Sequence, residues 1–163
     1  MTISLKHTGR RTGAVLVSLL LLLTLAVSAS AAAVKMTVGV RFWRESGDKE
    51  SVADSAVDTT REATLTRQPN GTFTLELPVK QLSSMNMTGS LTGIAIGEVN
   101  YDGTLSGDLS DGTAVLTLKN LPASVLTGSD SNKALAVTCS IKMDTILLGD
   151  ITTSAKMSIW VER

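Results

Sequence analysis

Histidine is nearly absent from this chain: of 163 residues only His7 is one, and it falls inside what reads as an export leader. Imidazole alone among side chains titrates near neutral pH without heavy perturbation. Ser-His-Asp and Cys-His nucleophilic machinery, HExxH zinc sites and histidine-ligated metal centres are therefore closed to a chain that has lost its leader. Cysteine is as scarce, with Cys139 alone. An intramolecular disulfide is excluded, the core must hold the fold unaided, and the expected state of Cys139 is a free, buried thiol. Aromatic residues make up 3% of the chain, too thin a supply for the stacking platforms of a sugar-cleaving site. No Pro-rich or charged linker interrupts it. The composition predicts one domain with a binding role and no catalytic one.

The leader is read from its order of segments. Met1 to Gly13 carries Lys6, Arg10 and Arg11, Ala14 to Val27 is apolar apart from hydroxyls, and small residues run through Ala33. A charged end, a greasy middle and a small-residue exit are what a signal peptidase recognises. Ala29-Ser30-Ala31 and Ala31-Ala32-Ala33 are both acceptable cleavage triplets, so residues 1–33 are assigned to the signal peptide and 34–163 to the working domain. An uncleaved leader, long enough to cross a bilayer, is the alternative. Only in that case is membrane a partner. No cysteine closes the leader and no sorting tail follows Trp160, so covalent surface attachment is not expected. Three of the 15 basic residues precede the cut and all 15 acidic residues follow it, which leaves a net charge of −3. A mildly acidic surface does not suit nucleic acid. The expected product is a secreted monomer, cell-surface associated at most.

Past the leader, apolar residues recur at period two, the spacing of half-buried strands. Met36, Val38, Val40 and Phe42 form one such series. Phe73, Leu75, Leu77 and Val79 form another, after an Asn70-Gly71 turn that joins them to Leu65 on a partner strand. Leu91 to Val99 is a strand with Gly93 and Gly97 on one face, which suggests close packing against that face. Tyr101-Asp102-Gly103 and Asp111-Gly112-Thr113 read as turns. Val115 to Leu118, then Leu135 to Met143, then Ala155 to Val161 complete the set. The prediction is an all-β, immunoglobulin-like antiparallel β sandwich of seven to eight strands. One short helical-turn region is expected, within Glu45 to Thr60.

Few residues then suggest chemistry. The Asp-Gly pairs lack the spacing of a calcium loop and are better hairpin turns. Among the methionines, Met36, Met143 and Met157 are in phase with core residues, while Met85 and Met87 lie in a loop. Thioether sulfur both fills gaps in apolar cores and ligates soft metals, so each in-phase methionine has two readings. Ile146-Leu147-Leu148, at the tip of the last hairpin, is an apolar patch that should contact something.

Three stretches resemble the NEAT domain, a small immunoglobulin-like haem-binding module exported by Gram-positive bacteria. They are Val38-Gly39-Val40-Arg41-Phe42-Trp43, the segment Glu50 to Val57, and Asn86-Met87-Thr88-Gly89-Ser90-Leu91. The resemblance implies that Ser51 hydrogen-bonds a haem propionate and that Val52 touches the distal haem face. It also implies that the last hairpin, around Ile146, closes the other face. The family's iron-ligating Tyr-x-x-x-Tyr is missing: no tyrosine occurs from Lys142 to Arg163. Met157, or Met143 entering the hairpin, is the substitute donor, with Met157 the preferred metal ligand. Two functions follow. One is a secreted haem-binding or haem-relay protein for iron acquisition, with haem or another haem-carrier protein as partner. The other is a NEAT-like sandwich without haem ligation that serves as an extracellular protein or envelope interaction module.

Overall fold

The computed structural model describes residues 32–84, 87–144 and 149–162. Residues 1–31 of the leader, Met85 and the Ile146-Leu147-Leu148 patch lie outside these. Among the described residues no helix is long and apolar enough to cross a membrane.

Ten strands form: β1 (Val34–Arg44), β2 (Ala63–Arg67), β3 (Phe73–Pro78), β4 (Leu82–Ser84), β5 (Met87–Ile96), β6 (Val99–Asp102), β7 (Thr104–Ser106), β8 (Val115–Leu121), β9 (Leu135–Met143) and β10 (Asp150–Val161). All pair antiparallel in one hydrogen-bonded path, β4-β5-β9-β10-β1-β2-β3-β8-β7, with β6 on β5. The all-β class and the sandwich are as the periodicity predicts. The count is higher than seven or eight because short edge strands carry no period-two signal: β7 is exposed throughout and β4 has three residues.

Gly103 explains how the path curls into two layers. β6 pairs with β5 and β7 with β8, at opposite ends of the path, yet only Gly103 separates β6 from β7. The chain therefore steps directly from one end of the sheet to the other. Its amide donates to the Thr92 carbonyl at 2.8 Å. A Cβ here would stand 2.7 Å from that carbonyl and run into the Leu116 side chain. Tyr101 and Asp102, expected in a turn, are thus strand residues. The expected close approach at the β5 glycines also resolves differently. Gly93 faces the Tyr101 carbonyl of the neighbouring strand, 2.8 Å from where its Cβ would be, and Gly97, at φ +59°, makes the β5–β6 turn. A bulge between Leu91 and Gly93 lets both Leu91 and Ile94 point inward.

The predicted Asn70-Gly71 hairpin forms, with Leu65 opposite Leu75 and Gly71 at φ +84°. Leu65, Leu75, Leu77, Leu116 and Leu118 from one half meet Phe42, Leu91, Met157 and Ile159 from the other, each with essentially no exposed surface. Besides the expected turn at Val52–Ala56, 3₁₀ turns occur at Ala123–Val125 and Ser131–Lys133. Asp130 caps the last through the Asn132 amide, an aspartate N-cap that apolar periodicity does not reveal.

Candidate functional site

Two elements carry the residues expected at a site. The first is the 3₁₀ turn Val52–Ala56, a lip between β1 and β2. Ser51 is its N-cap, with extended φ/ψ and its oxygen accepting from the Ala53 amide at 3.4 Å. Ala53 and Ala56 are fully buried, so the turn lies flat against the sheet and packs on β1, β4 and β5. Val52, on the far side, is 50% exposed. The lip is held to β1 at both backbone groups of Phe42. Phe42 N–H donates to Asp54 Oδ1 at 2.7 Å, and Ser51 N–H donates to the Phe42 carbonyl at 2.8 Å.

Asp54 is the residue that sequence reading passed over. Ser51-x-x-Asp54 has the spacing of a capping box, in which the acid turns back to the cap residue's own amide. Here the carboxylate instead reaches the neighbouring strand, a partner that no local pattern can name. It is 8% exposed. Burial pushes its pKa above 3.8, Phe42's amide works the other way, Glu50 adds to the rise, and Arg41 and Lys80 oppose it.

The second element is the antiparallel pair β9–β10. Met143, at the end of β9, pairs with Gly89 of β5 and is 8% exposed; its sulfur would lie 3.0 Å from a Cβ on Gly89. Across the pair, Ile151 stands opposite Ile141. Alternation puts Ile151 and Thr153 on the inner face with Ala155, Met157 and Ile159. Ile151 is 40% exposed. It was not among the predicted site residues, although its phase with Met157 was there to be read.

Ser51 and Val52 belong to a turn that packs on β4 and β5, and Met143 pairs with β5 at Gly89. Ile146 falls outside the described residues. Met157 is placed elsewhere. It lies mid-sheet, opposite Phe42 on β1 and Leu135 on β9, with no exposed surface. Of the two roles weighed for it, gap-filling in the core is the one its position serves, since a ligand cannot reach a sulfur enclosed on all sides.

The donors available to a metal are few. Cys139 is buried and its thiol is pushed up to about 12 by that burial, so it stays neutral. Tyr101 pairs with Ile94, at the opposite end of β5 from Gly89 and Met143. Among the described residues no group of three His, Cys, Asp or Glu side chains converges as a metal site. A separate cleft of about 290 Å³ opens where β1 and β2 diverge, lined by Arg41, Asp58, Thr60, Arg61 and Trp160 among others. Its walls mix charged and apolar side chains.

The fold is similar to that of solved NEAT domains. Among solved structures, the chain is similar to the NEAT5 domain of IsdX2, a B. anthracis hemophore, in complex with haem (TM-score 0.50), and to a point mutant of that domain, also in complex with haem (TM-score 0.52). In each case the identity is 8%, and the match covers 80% of this chain and 98% of the other. No protein-family profile and no curated protein matches the sequence.

Proposed function

We propose that this chain is a secreted protein that binds or relays haem for iron acquisition. The tetrapyrrole would sit between the Ser51 lip and the β9–β10 hairpin. The observation that carries this reading is the pairing of a NEAT fold with an anchored lip that leaves Val52 exposed. On this reading Val52 and Ile151 offer apolar surface to the ring faces, and Ser51 stands where a propionate would enter. The Asp54 and Ser51 tethers to Phe42 hold the lip in position before any ligand arrives, which lowers the ordering cost of binding. No step in this function breaks or forms a covalent bond.

The donor set does not match what ferric haem iron prefers. His, thiolate and phenolate are each missing from this end, and Met143 offers only a soft, uncharged thioether. Hemin titrated into the purified domain, followed by visible absorbance and tryptophan quenching, is expected to saturate at one equivalent. Val52→Asp, at an exposed position the fold tolerates, should weaken binding by at least about tenfold, or about 1.4 kcal/mol. A broad, non-saturating spectrum that is indifferent to Val52→Asp would instead support an extracellular interaction module that uses the same apolar end.

A further inference from the structure

We propose that the cleft where β1 and β2 diverge binds an N-acetylated sugar, whose acetamido group takes the place of one missing rung of the sheet. The site is separate from the one proposed for haem, and the argument for it does not rest on that reading. β1 pairs with β2 from Val34 opposite Arg67 to Val38 opposite Ala63, and one further step of this register would set Val40 opposite Arg61. The step is not made. The Arg61 amide donates instead to the Asp58 carbonyl at 3.4 Å, and its guanidinium is drawn off to the Gly112 and Ala114 carbonyls at 2.7 and 3.0 Å. Val40 is left facing the gap. Phe42, two residues on, turns its N–H and C=O away from β10 to Asp54 and Ser51, so strand alternation sends those of Val40 the same way. Ile159, opposite Val40 on β10, turns its own carbonyl away to Thr127 and Gly128. Among the described residues neither backbone group of Val40 has a hydrogen-bond partner.

A donor and an acceptor side by side on one residue are the complement of a single amide group. The rungs on either side are filled, at Val38 by Ala63 and at Phe42 by the lip, so there is room for one amide. A peptide adding along the edge would need several rungs in succession. The cleft that Val40 lines, about 290 Å³, stands near the lower limit of small-molecule pockets, roughly 300 Å³. The rest of its lining indicates what the amide is attached to. Trp160 lies over Gly39, where a Cβ would run into the indole, and offers a wall for the C–H face of a sugar ring. Val57, Ala63 and Leu77 supply apolar surface for the acetyl methyl. Arg41 stands with Asp58, Glu62 and Glu162, charges of both signs that favour neither an anion nor a cation. A hydroxyl both donates and accepts, and so suits both. Asp58 Oδ1 is already held by the Thr60 amide and hydroxyl at 3.1 and 2.7 Å, which fixes its carboxylate before a ligand arrives.

The test titrates the full processed chain with the trisaccharide of N-acetylglucosamine and with the glucose trisaccharide of the same linkage, which carries a hydroxyl in place of each acetamido group. The acetylated sugar is expected to saturate, to change tryptophan fluorescence and to shift the Val40 amide resonance in NMR spectra, with the glucose sugar at least about tenfold weaker. Trp160→Leu should weaken the acetylated sugar by a similar factor. Should that variant fail to fold, the comparison of the two sugars on the wild type still decides. Equal affinity for the two sugars, an unmoved Val40 resonance, or no saturation below about 10 mM would overturn the proposal. So would N-acetylalanine methylamide binding as tightly with the same Val40 shift, since the cleft would then be a site for a peptide group and not for a sugar.

Discussion

At the scale of single residues, Asp54 shows how a buried charge can serve position more than stability. Its carboxylate takes the Phe42 backbone N–H of β1, beyond the stretch of that strand that pairs with β2, and in exchange is taken largely out of water. Asp54→Ala leaves the Phe42 amide unpaired and should destabilise the domain by about 1 to 3 kcal/mol. Asp54→Asn keeps an acceptor oxygen and removes the charge. Because the folded-state pKa is raised above 3.8, the folded protein binds this proton more tightly than the unfolded chain. The associated stability is present in acid and is lost as pH rises through the folded pKa. Thermal melts of wild type and Asp54→Asn should therefore converge at the acid end and separate in favour of Asn just above pH 3.8; a constant gap would refute the linkage. Glu76 works in the opposite sense, since the Thr64 hydroxyl and Lys35 hold its pKa down, so its contribution is lost as pH falls. Leu75 is a simpler case. It is fully buried opposite Leu65 and Leu118, and Leu75→Ala should cost roughly 2 to 5 kcal/mol, measured as a drop in the denaturation midpoint at unchanged slope.

At the scale of elements, glycine sets where strands can cross and pack. Gly103 permits the one-residue step from β6 to β7, and Gly39 makes room for the Trp160 indole, into which a Cβ at that position would project. Gly103→Ala should destabilise by about 1 to 3 kcal/mol, because the Thr92 carbonyl that blocks the new methyl is backbone and cannot swing away. Urea unfolding of this variant against wild type checks it, and an effect below about half a kcal/mol would mean that the crossing has slack. The lip is built on the same economy of size. Two buried alanines lay it on the sheet, a serine caps its start and an aspartate tethers its middle to β1.

At the scale of the whole molecule, one continuous hydrogen-bonded path links the described strands, so the domain has no internal boundary at which it would melt in parts. Circular dichroism and tryptophan fluorescence should report the same unfolding transition. Reductant should leave it unmoved, since Cys139 has no partner within the chain. The leader makes a separate prediction. In an exporting host the product should begin at Ala32 or Val34, after cleavage behind Ala31 or Ala33, as read by mass spectrometry of the secreted chain. Recovery of the chain from Met1 in the membrane fraction would identify the anchored form instead.

The sequence by itself determined the class of fold, the long strands and the Asn70-Gly71 hairpin, because period-two burial and turn chemistry are local properties written in neighbouring residues. It also determined how few donors the chain has, one histidine, one cysteine and one tyrosine, since composition is the same in every conformation. The short strands β4, β6 and β7 escaped it, as their pairing is decided by which edges the folded sheet leaves free. The role of Met157 escaped it too: a thioether in phase with the core reads the same whether its sulfur meets Phe42 or a ligand. Only the register of β10 between β1 and β9 decided that, by closing the space around it. The Asp54 tether belongs to the same class. Its partner lies 12 residues away on another strand, and a contact made across the fold has no signature along the chain.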